Sequence, residues 1–264
     1  MISFISFIGQ NTLSLFKEIR EISLLFLSTL YWTVAGPFRK KAVPGHHIFF
    51  QTVFGGVNSI LIVCFVCIAM GMVLAMQSAY QLQRFGALSM VAPLVAVSMA
   101  REIGPVLASL VIAGRVGAAI TAEISTMKVT EQIEALETLA LNPIRYLAAP
   151  RFIALLIMMP CLVILGDIAG MFGGYLIGTL YLDLRSAMYI DMTFAHLAMK
   201  DILTGLVKAV VFSVLISMIC CHKGLATEGG AEGVGRSTTN AVVISFVCII
   251  VADAILTAVF YFNQ

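Results

Sequence analysis

The sequence predicts an all-α integral membrane protein with an N-terminal interfacial helix and five transmembrane helices. Two observations on composition predict this class: 60% of the residues are hydrophobic and only 11% are charged, and the mean hydropathy is +1.01, far above that of a soluble domain. The apolar residues also fall in runs long enough to cross a bilayer, which takes about 20 residues each. A chain of 264 residues with five such runs has no room for a large soluble domain.

The N-terminal arm, residues 1–45, has the pattern of a helix lying along the membrane surface. Its apolar side chains fall within about one third of the helical circle, and its polar side chains fall opposite. The apolar set is Ile5, Ile8, Leu15, Ile19, Ile22, Phe26 and Leu30, and the polar set includes Lys17, Glu18, Glu21 and Ser28. This pattern is typical of an interfacial helix. An additional span is disfavoured because it would bury the charged residues between Lys17 and Glu21 in lipid.

Five apolar segments follow in residues 46–264, which we treat as one domain. The spans are predicted at about 52–79, 88–113, 152–182, 202–221 and 241–262. A turn at 81–87 joins the first two spans, residues 183–201 form an external segment, and residues 222–239 form a loop. The third span contains small residues that predict close helix packing: Gly166, Gly170, Gly173, Gly174 and Gly178.

The basic residues predict which side of the membrane each end occupies. If the N-terminal arm is inside, the outer parts hold only Arg84, Arg185 and Lys200. The cytoplasmic parts then hold Lys17, Arg20, Arg39, Lys40, Lys41, Arg115, Lys128, Arg145, Arg151, Lys223 and Arg236. This excess predicts a cytoplasmic N-terminus. The run Arg39-Lys40-Lys41 would mark the entry to the first span.

A Glu-rich segment, about 121–142, lies between spans 2 and 3 on the predicted cytoplasmic side. Thr130 is a candidate N-cap and Asn142-Pro143 a stop, so residues 131–141 are predicted to be helical. On the helical wheel, one face carries Glu123, Glu131, Glu134 and Glu137, and a narrow apolar stripe carries Val129, Ile133 and Leu136. The periodicity fits two roles: a solvated loop helix, or a docking surface for a separate motor protein.

Charged residues inside the spans give a sharper prediction. At 1.5 Å per residue, Glu102 and Lys208 both lie roughly 12 to 20 Å below the outer face, so they can meet. An unpaired lysine at this depth costs about 2.5–3.5 kcal/mol. The pair would either fix helix packing or line a polar cavity. Asp167 and Asp253 also lie in apolar spans, where helix–helix hydrogen bonding is favoured over a proton relay.

Several residue patterns argue against chemistry in this chain. The six cysteines lie in apolar runs, which predicts buried side chains and no metal site. The segment GAEGVGRS at 230–237 has the outline of a phosphate-binding loop, but Arg236 replaces the lysine and no strand precedes it. We interpret it as a flexible Gly-rich connector. The four histidines are scattered, which disfavours a lipid-modifying enzyme. No ATPase site, cofactor or nucleic-acid partner is therefore expected.

Four sequence runs carry a resemblance to a known family. They are AREIGP at 100–105, AGRVG at 113–117, AEISTMKVTEQIEAL at 122–136 and EGVGR at 232–236. Together they strongly resemble the MlaE-type permease of bacterial phospholipid ABC transporters. The likeness covers most of the chain after about residue 54, whereas the N-terminal arm matches only in character.

The resemblance implies an architecture and a set of partners. It implies a homodimer of five-span subunits in the cell inner membrane, with an organellar inner envelope as the alternative. A coupling helix would fit a cytoplasmic ABC ATPase, which would hold the ATP and Mg. An MCE-type lipid-binding protein would sit on the outer side, often with a STAS-domain protein below the ATPase. Phospholipid would occupy an outward-facing cavity at the dimer centre.

The resemblance also implies residue roles. The polar residues of the cavity would be Arg101, Glu102 and Lys208, and its wall would be Leu74, Gln77, Leu82 and Phe85, with phenylalanine where relatives often have tyrosine. Contacts to the ATPase would come from Glu123, Lys128, Glu131, Gln132, Glu134 and Leu136. The expected function is that of a permease subunit moving phospholipid between the inner membrane and an external MCE-type partner. The alternative is an ion-coupled secondary transporter that uses Glu102, Lys208, Asp167 and Asp253.

Overall fold

The computed structural model describes residues 2–38 and 45–261, and this part of the chain is helical with no strand. The α-helices are α1 Ile2–Phe38, α2 Gly45–Gly55, α3 Ile60–Gln83, α4 Val91–Ser98, α5 Gly104–Ile112, α6 Ala118–Val129, α7 Gln132–Thr138, α8 Ala149–Leu180, α9 Ser186–His196, α10 Met199–Leu225 and α11 Gly230–Tyr261. Short 3₁₀ or π turns join several of them.

Five helical stretches in the described residues are long and apolar enough to cross a membrane. They are Gly45–Gln83, Leu88–Val129, Ile144–Leu180, Met199–Leu225 and Gly230–Phe260, numbered here as spans 1 to 5. The predicted class, an all-α membrane protein with five spans, is confirmed. Each stretch is longer than the sequence predicts, because helical backbone hydrogen bonding continues past the last apolar residue into the polar flanks.

The loop predicted at 222–239 is wrong, and so is the flexible connector within it. Helix α10 continues to Leu225 and α11 already begins at Gly230, so only residues 226–229 link them. Positive φ angles of 92° at Gly229 and 69° at Gly230 turn the chain, a conformation open to glycine. Glu232 then lies in the first turn of α11, where an acidic residue stabilises a helix N-terminus.

Helix α8 is the centre of the bundle. It packs against α2, α3, α4, α5 and α10. Its backbone comes so close to α3 that a methyl group built on Gly71 would lie 1.9 Å from the carbonyl oxygen of Gly170. This contact confirms the close packing predicted from the glycines of span 3.

Helix α1 packs against one end of the bundle. The rings of Phe26 and Phe152 lie 6.2 Å apart, and Glu18 forms an ion pair with Lys223 of α10. The predicted polar face of α1 therefore also contacts protein, whereas Ile19 on the predicted apolar face is exposed. The interfacial position stays a prediction. The side chains before Phe16 and the Arg39-Lys40-Lys41 run lie outside the described residues.

Because the spans alternate in direction, their connections fall at two ends. The α7 end contains α7, the link at 226–229 and the contacts of α1. The α9 end contains the turn at 84–87 and α9, which packs against α4 and α8.

Candidate functional site

Span 2 carries Arg101 and Glu102 on a π-helical turn, Met99–Ile103. Pro105 lies two residues after the end of this turn. Proline has no backbone N–H, and its ring crowds the carbonyl one turn before it, so a regular α-helical ladder cannot continue through this point. The wider π turn accommodates the disruption. The two charged side chains are thereby presented in the middle of the span.

Helix α10 comes very close to this turn at Gly205. A methyl group built on Gly205 would lie 2.2 Å from the carbonyl oxygen of Ala100, so only glycine fits. Lys208 is three residues further along α10 and therefore lies on the same helix face. The close approach at Gly205 thus places the ammonium group beside Glu102.

Lys208 is the centre of a polar cluster inside the bundle. Its Nζ lies 2.8 Å from Asp253 Oδ1, donates a hydrogen bond of 2.8 Å to Thr257 Oγ1, and forms an ion pair with Glu102. The lysine has no exposed surface. The prediction that Glu102 and Lys208 meet at one depth is confirmed.

Span 5 completes this cluster with two residues four positions apart on α11. Thr257 Oγ1 lies 3.1 and 3.2 Å from the two carboxylate oxygens of Glu102, to which it can donate. Asp253 contacts Lys208 as an ion pair rather than through the predicted hydrogen bond between helices. Glu102, Lys208, Asp253 and Thr257, from three spans, are called the intramembrane cluster below.

The intramembrane cluster reaches the surface of the single chain. The side chains of Glu102 and Asp253 are 33% and 22% exposed. The face of α11 that points away from the cluster is apolar, with Val251 and Ile255 more than half exposed. Carboxylates facing hydrocarbon are unfavourable. The cluster therefore needs a polar cavity or a second protein surface in front of it.

Arg101 is not part of this cluster. Its Nε donates a 2.7 Å hydrogen bond to Asp201 Oδ1 at the start of α10. Asp201 is buried, and its second oxygen accepts a 3.1 Å hydrogen bond from the backbone N–H of Ala198, which caps the helix. The structure thus separates Arg101 from Glu102, in line with their different directions on the helix.

The four predicted wall residues lie on α3 and the turn after it. Leu74 and Leu82 are half-buried against the hydrophobic core, whereas Gln77 and Phe85 are exposed. Helix α3 packs against α8, α4 and α5, while most of the intramembrane cluster belongs to α10 and α11. The two groups of predicted lipid contacts therefore occupy different surfaces of one chain.

Asp167 lies on the other side of the π turn. A methyl group built on Gly104 would lie 1.7 Å from its Oδ1, which shows how tightly the carboxyl group packs there. This oxygen is buried and has no hydrogen-bond partner among the described residues. The hydrogen bond between helices predicted for Asp167 is therefore not formed by Oδ1.

At the α7 end, the helix predicted over 131–141 differs from the one observed. Thr130 ends α6 instead of capping a new helix, and α7 covers only Gln132–Thr138. Between them, Glu131 adopts a left-handed conformation with φ of 59°. Ala140 has a φ of 56° and turns the chain again before Asn142. These two turns fold the Glu-rich segment back on itself, which the helical wheel does not describe.

The predicted face of four glutamates is consequently wrong. Glu123 forms a 2.8 Å ion pair with the buried Arg151, whose second nitrogen donates to the carbonyl of Leu147. Glu134 forms an ion pair with Lys128 across the break. Lys128 Nζ also donates a hydrogen bond to Glu134 Oε1. This hydrogen bond is the main reason that the pKa of Glu134 lies below its usual value. Two of the glutamates thus have cationic partners within the chain.

The apolar stripe of this segment is only partly correct. Ile133 is buried and Leu136 packs against the core, as predicted for the inner face, but Val129 is 37% exposed. Glu131 and Gln132 at the turn are exposed. In the described structure, the exposed surface at the α7 end is therefore the turn between α6 and α7, not one long helix face.

Sequence reasoning missed Asp201, Thr257 and Arg151. Asp201 is the third residue of α10, where acidic residues commonly cap a helix, and Thr257 follows Asp253 by four positions. These two signals could have identified them. Arg151 reads as an ordinary flanking charge, and nothing in its local sequence indicates burial.

The family model described as Permease MlaE matches residues 48–259. The chain belongs to the MlaE permease family. The matched residues include the intramembrane cluster and α7.

Individual relatives agree with this assignment. A probable ABC transporter permease protein of Rickettsia conorii is 44% identical over 96% of both chains. The intermembrane phospholipid transport system permease protein MlaE of Haemophilus influenzae is 35% identical over 99% of this chain and 98% of the relative. A chloroplastic protein of Arabidopsis thaliana, TRIGALACTOSYLDIACYLGLYCEROL 1, is 37% identical over 72% of this chain and 55% of its own. The chain is thus a multi-pass membrane protein of an ABC transporter permease family.

Proposed function

We propose that this chain is the membrane permease subunit of an ABC transporter that moves phospholipid between the inner membrane and an external MCE-type lipid-binding protein. The name of the Haemophilus relative, an intermembrane phospholipid transport permease, supports phospholipid as the cargo. ATP and Mg would bind a separate ATPase at the α7 end, which we assign to the cytoplasm together with the N-terminus. A STAS-domain protein below the ATPase is part of the same proposal.

The observation that carries the proposal is the fully buried Lys208 between two partly exposed carboxylates. A phospholipid needs few polar contacts, since each buried methylene contributes about 0.8 kcal/mol and only the head group requires matching. The intramembrane cluster places two partly exposed carboxylates, held by the buried Lys208, at one point of an otherwise apolar surface. We assign Lys208, Glu102 and the nearby Arg101 to the head-group side of the cavity.

Two copies would be needed to build that cavity. In one chain, Leu74, Gln77, Leu82 and Phe85 are separated from the intramembrane cluster, and the apolar face of α11 is exposed. A symmetric dimer would cover α11 and bring the α3 wall of each subunit toward the cavity. It would also shield Glu102 and Asp253 from lipid, which favours the dimer energetically.

Coupling to the ATPase would occur at the turn between α6 and α7. Its exposed residues Glu131 and Gln132 are available for docking, whereas the Lys128–Glu134 ion pair and Leu136 hold the turn against the bundle. Glu123 would act through Arg151 and α8. Movement of the turn would then be transmitted to α6 and α8 and would narrow the cavity.

The test is phospholipid transfer by the reconstituted transporter. The chain, its ATPase and an MCE-domain protein are placed in vesicles, and ATP-dependent transfer of a fluorescent phospholipid to the MCE protein is measured. Lys208→Ala and Glu102→Ala should abolish transfer and reduce the amount of co-purified lipid. Lys200→Ala, at an exposed lysine of the same helix, is the matched control and should have no effect. Normal transfer by correctly folded Lys208→Ala protein would refute the assigned site.

A second candidate, the ion-coupled carrier, is favoured by one observation: Lys208 and two carboxylates form a connected ionisable group inside the membrane. The ABC permease family assignment favours the first proposal. Transfer that persists without ATP and stops when the proton gradient is dissipated would support the carrier instead.

A further inference from the structure

A separate cavity of about 610 Å³ lies between α8, α9 and the beginning of α10. Its volume is within the range of about 300–1,000 Å³ that small-molecule sites occupy. Most of its wall is apolar or aromatic, with Ile168, Met171, Phe172, Tyr175 and Phe194 among the lining residues. Ile168, Phe172 and Phe194 are more than half exposed at the bundle surface. The cavity is therefore accessible from the lipid side.

Two buried polar groups in this wall have no hydrogen-bond partner among the described residues. They are Asp167 Oδ1 and Tyr189 Oη. Asp167 is only 8% exposed and Tyr189 only 4%. Leaving a buried polar group without a partner is unfavourable. Both residues line the cavity, so a bound molecule could supply a partner to one of them.

One ordered water cannot satisfy both groups. Tyr189 Oη lies beside Gly174, 3.0 Å from where a methyl group on that glycine would be. Gly174 is two helical turns beyond Asp167 on α8, so the two polar groups are about 10 Å apart along the helix at 1.5 Å per residue. A buried water needs two to four polar partners, and the surrounding wall is largely apolar. A longer ligand with polar and apolar parts fits the arrangement better.

We propose that this cavity is a second ligand site, which binds a single-chain amphiphile with a hydroxyl or amine head. The head would donate a hydrogen bond to Asp167, and the chain would lie along the aromatic wall past Tyr189. The lining includes a carboxyl group and no lysine or arginine, so an anionic phosphate head is disfavoured. This site goes beyond the proposed transport function, because it is distinct from the intramembrane cluster and selects another class of lipid.

The proposal can be tested by photolabelling the full-length chain in vesicles. The probe is a hexadecanol that carries a diazirine in its chain, and the comparison probe is the same chain without the hydroxyl group. The alcohol should label peptides of α8 and α9 several-fold more strongly than the hydrocarbon, and unlabelled hexadecanol should compete. Equal labelling by the two probes would overturn the proposal, as would competition by a diacyl phosphatidylglycerol as effective as that by hexadecanol.

Variants locate the site. Asp167→Leu removes the acceptor of the head group's hydrogen bond and should reduce labelling about fivefold, whereas Ile190→Trp should block the cavity. The matched control Asp191→Leu changes a residue outside the cavity lining and should label normally. Unchanged labelling in Asp167→Leu and Ile190→Trp protein refutes the site. Phospholipid transfer, measured in parallel, reports on the proposed transport function independently.

Discussion

Lys208 Nζ lies 2.8 Å from Asp253 Oδ1, at a point where the lysine has no exposed surface. This contact joins α10 to α11, and the ion pair with Glu102 joins both to the π turn of span 2. The lysine therefore holds together three spans whose residues are far apart in the sequence. Removal of the Lys208 charge should change both the packing of the bundle and the surface that the two carboxylates present to a ligand.

Lys208→Met should destabilise the bundle, because it leaves Glu102 and Asp253 facing each other without a cation. Loss of one partner from a buried ion pair costs about 3–5 kcal/mol, and we expect about 3 kcal/mol here since both carboxylates are partly exposed. Thermal unfolding in detergent measures the effect. The triple variant Lys208→Met, Glu102→Gln, Asp253→Asn should recover most of the loss. A triple variant no more stable than Lys208→Met would contradict this explanation.

Gly205→Ala should separate α10 from span 2, because the new methyl group would lie 2.2 Å from a backbone oxygen. Overpacking of this kind costs about 1–3 kcal/mol. The unfolding temperature should fall, and lipid co-purification should decrease with it as Lys208 moves from Glu102. Gly235→Ala, a helical glycine with open space around it, is the control. It should be neutral or stabilising, since alanine favours helix more than glycine does.

Asp201→Ala should weaken the start of α10 more than Arg101→Ala does. Asp201 both pairs with Arg101 and caps the helix through Ala198, whereas Arg101→Ala leaves the cap in place. Loss of such a cap costs about 1 kcal/mol. Hydrogen exchange of the first backbone amides of α10 should therefore accelerate more in Asp201→Ala. Equal acceleration in both variants would show that the cap contributes nothing.

The Lys128–Glu134 pair should make the α7 turn sensitive to acid. The lysine lowers the pKa of Glu134, so the stabilisation is present above about pH 4.3, the ordinary glutamate value, and is lost as the pH falls through the lower folded value. Hydrogen exchange of α7 should rise in this range. Glu134→Gln should exchange faster at neutral pH and lose the acid dependence. An unchanged acid response in that variant would assign it to another group.

A charge swap separates this structural role from recognition of the ATPase. Lys128→Glu with Glu134→Lys keeps the ion pair but reverses both charges. Normal hydrogen exchange of α7 combined with loss of ATPase co-purification would indicate that the proposed ATPase recognises these two charges. Normal exchange with normal assembly would assign docking to the exposed Glu131 and Gln132, and single substitutions there should then reduce co-purification.

Local sequence pattern determines some features of the Glu-rich segment and not others. Ile133 and Leu136 face the bundle as the apolar stripe predicts. The break at Thr130 and Glu131 was not predictable, because a left-handed glutamate costs about 1–3 kcal/mol and is tolerated only where surrounding contacts hold it. The ion pair of Glu123 was not predictable either, because its partner Arg151 lies beyond the break in the sequence.

The sequence by itself determined the class, the number of spans and the meeting of Glu102 with Lys208. These follow from local rules: apolar runs must leave water, their backbone must hydrogen-bond within helices, and depth is counted along the chain. Only the tertiary structure decided that Asp253 and Thr257 join Lys208, that Arg101 pairs with Asp201, and that Asp167 and Tyr189 line a separate cavity. Those contacts depend on helix rotation and on close approaches such as the one at Gly205, which arise when distant spans pack together.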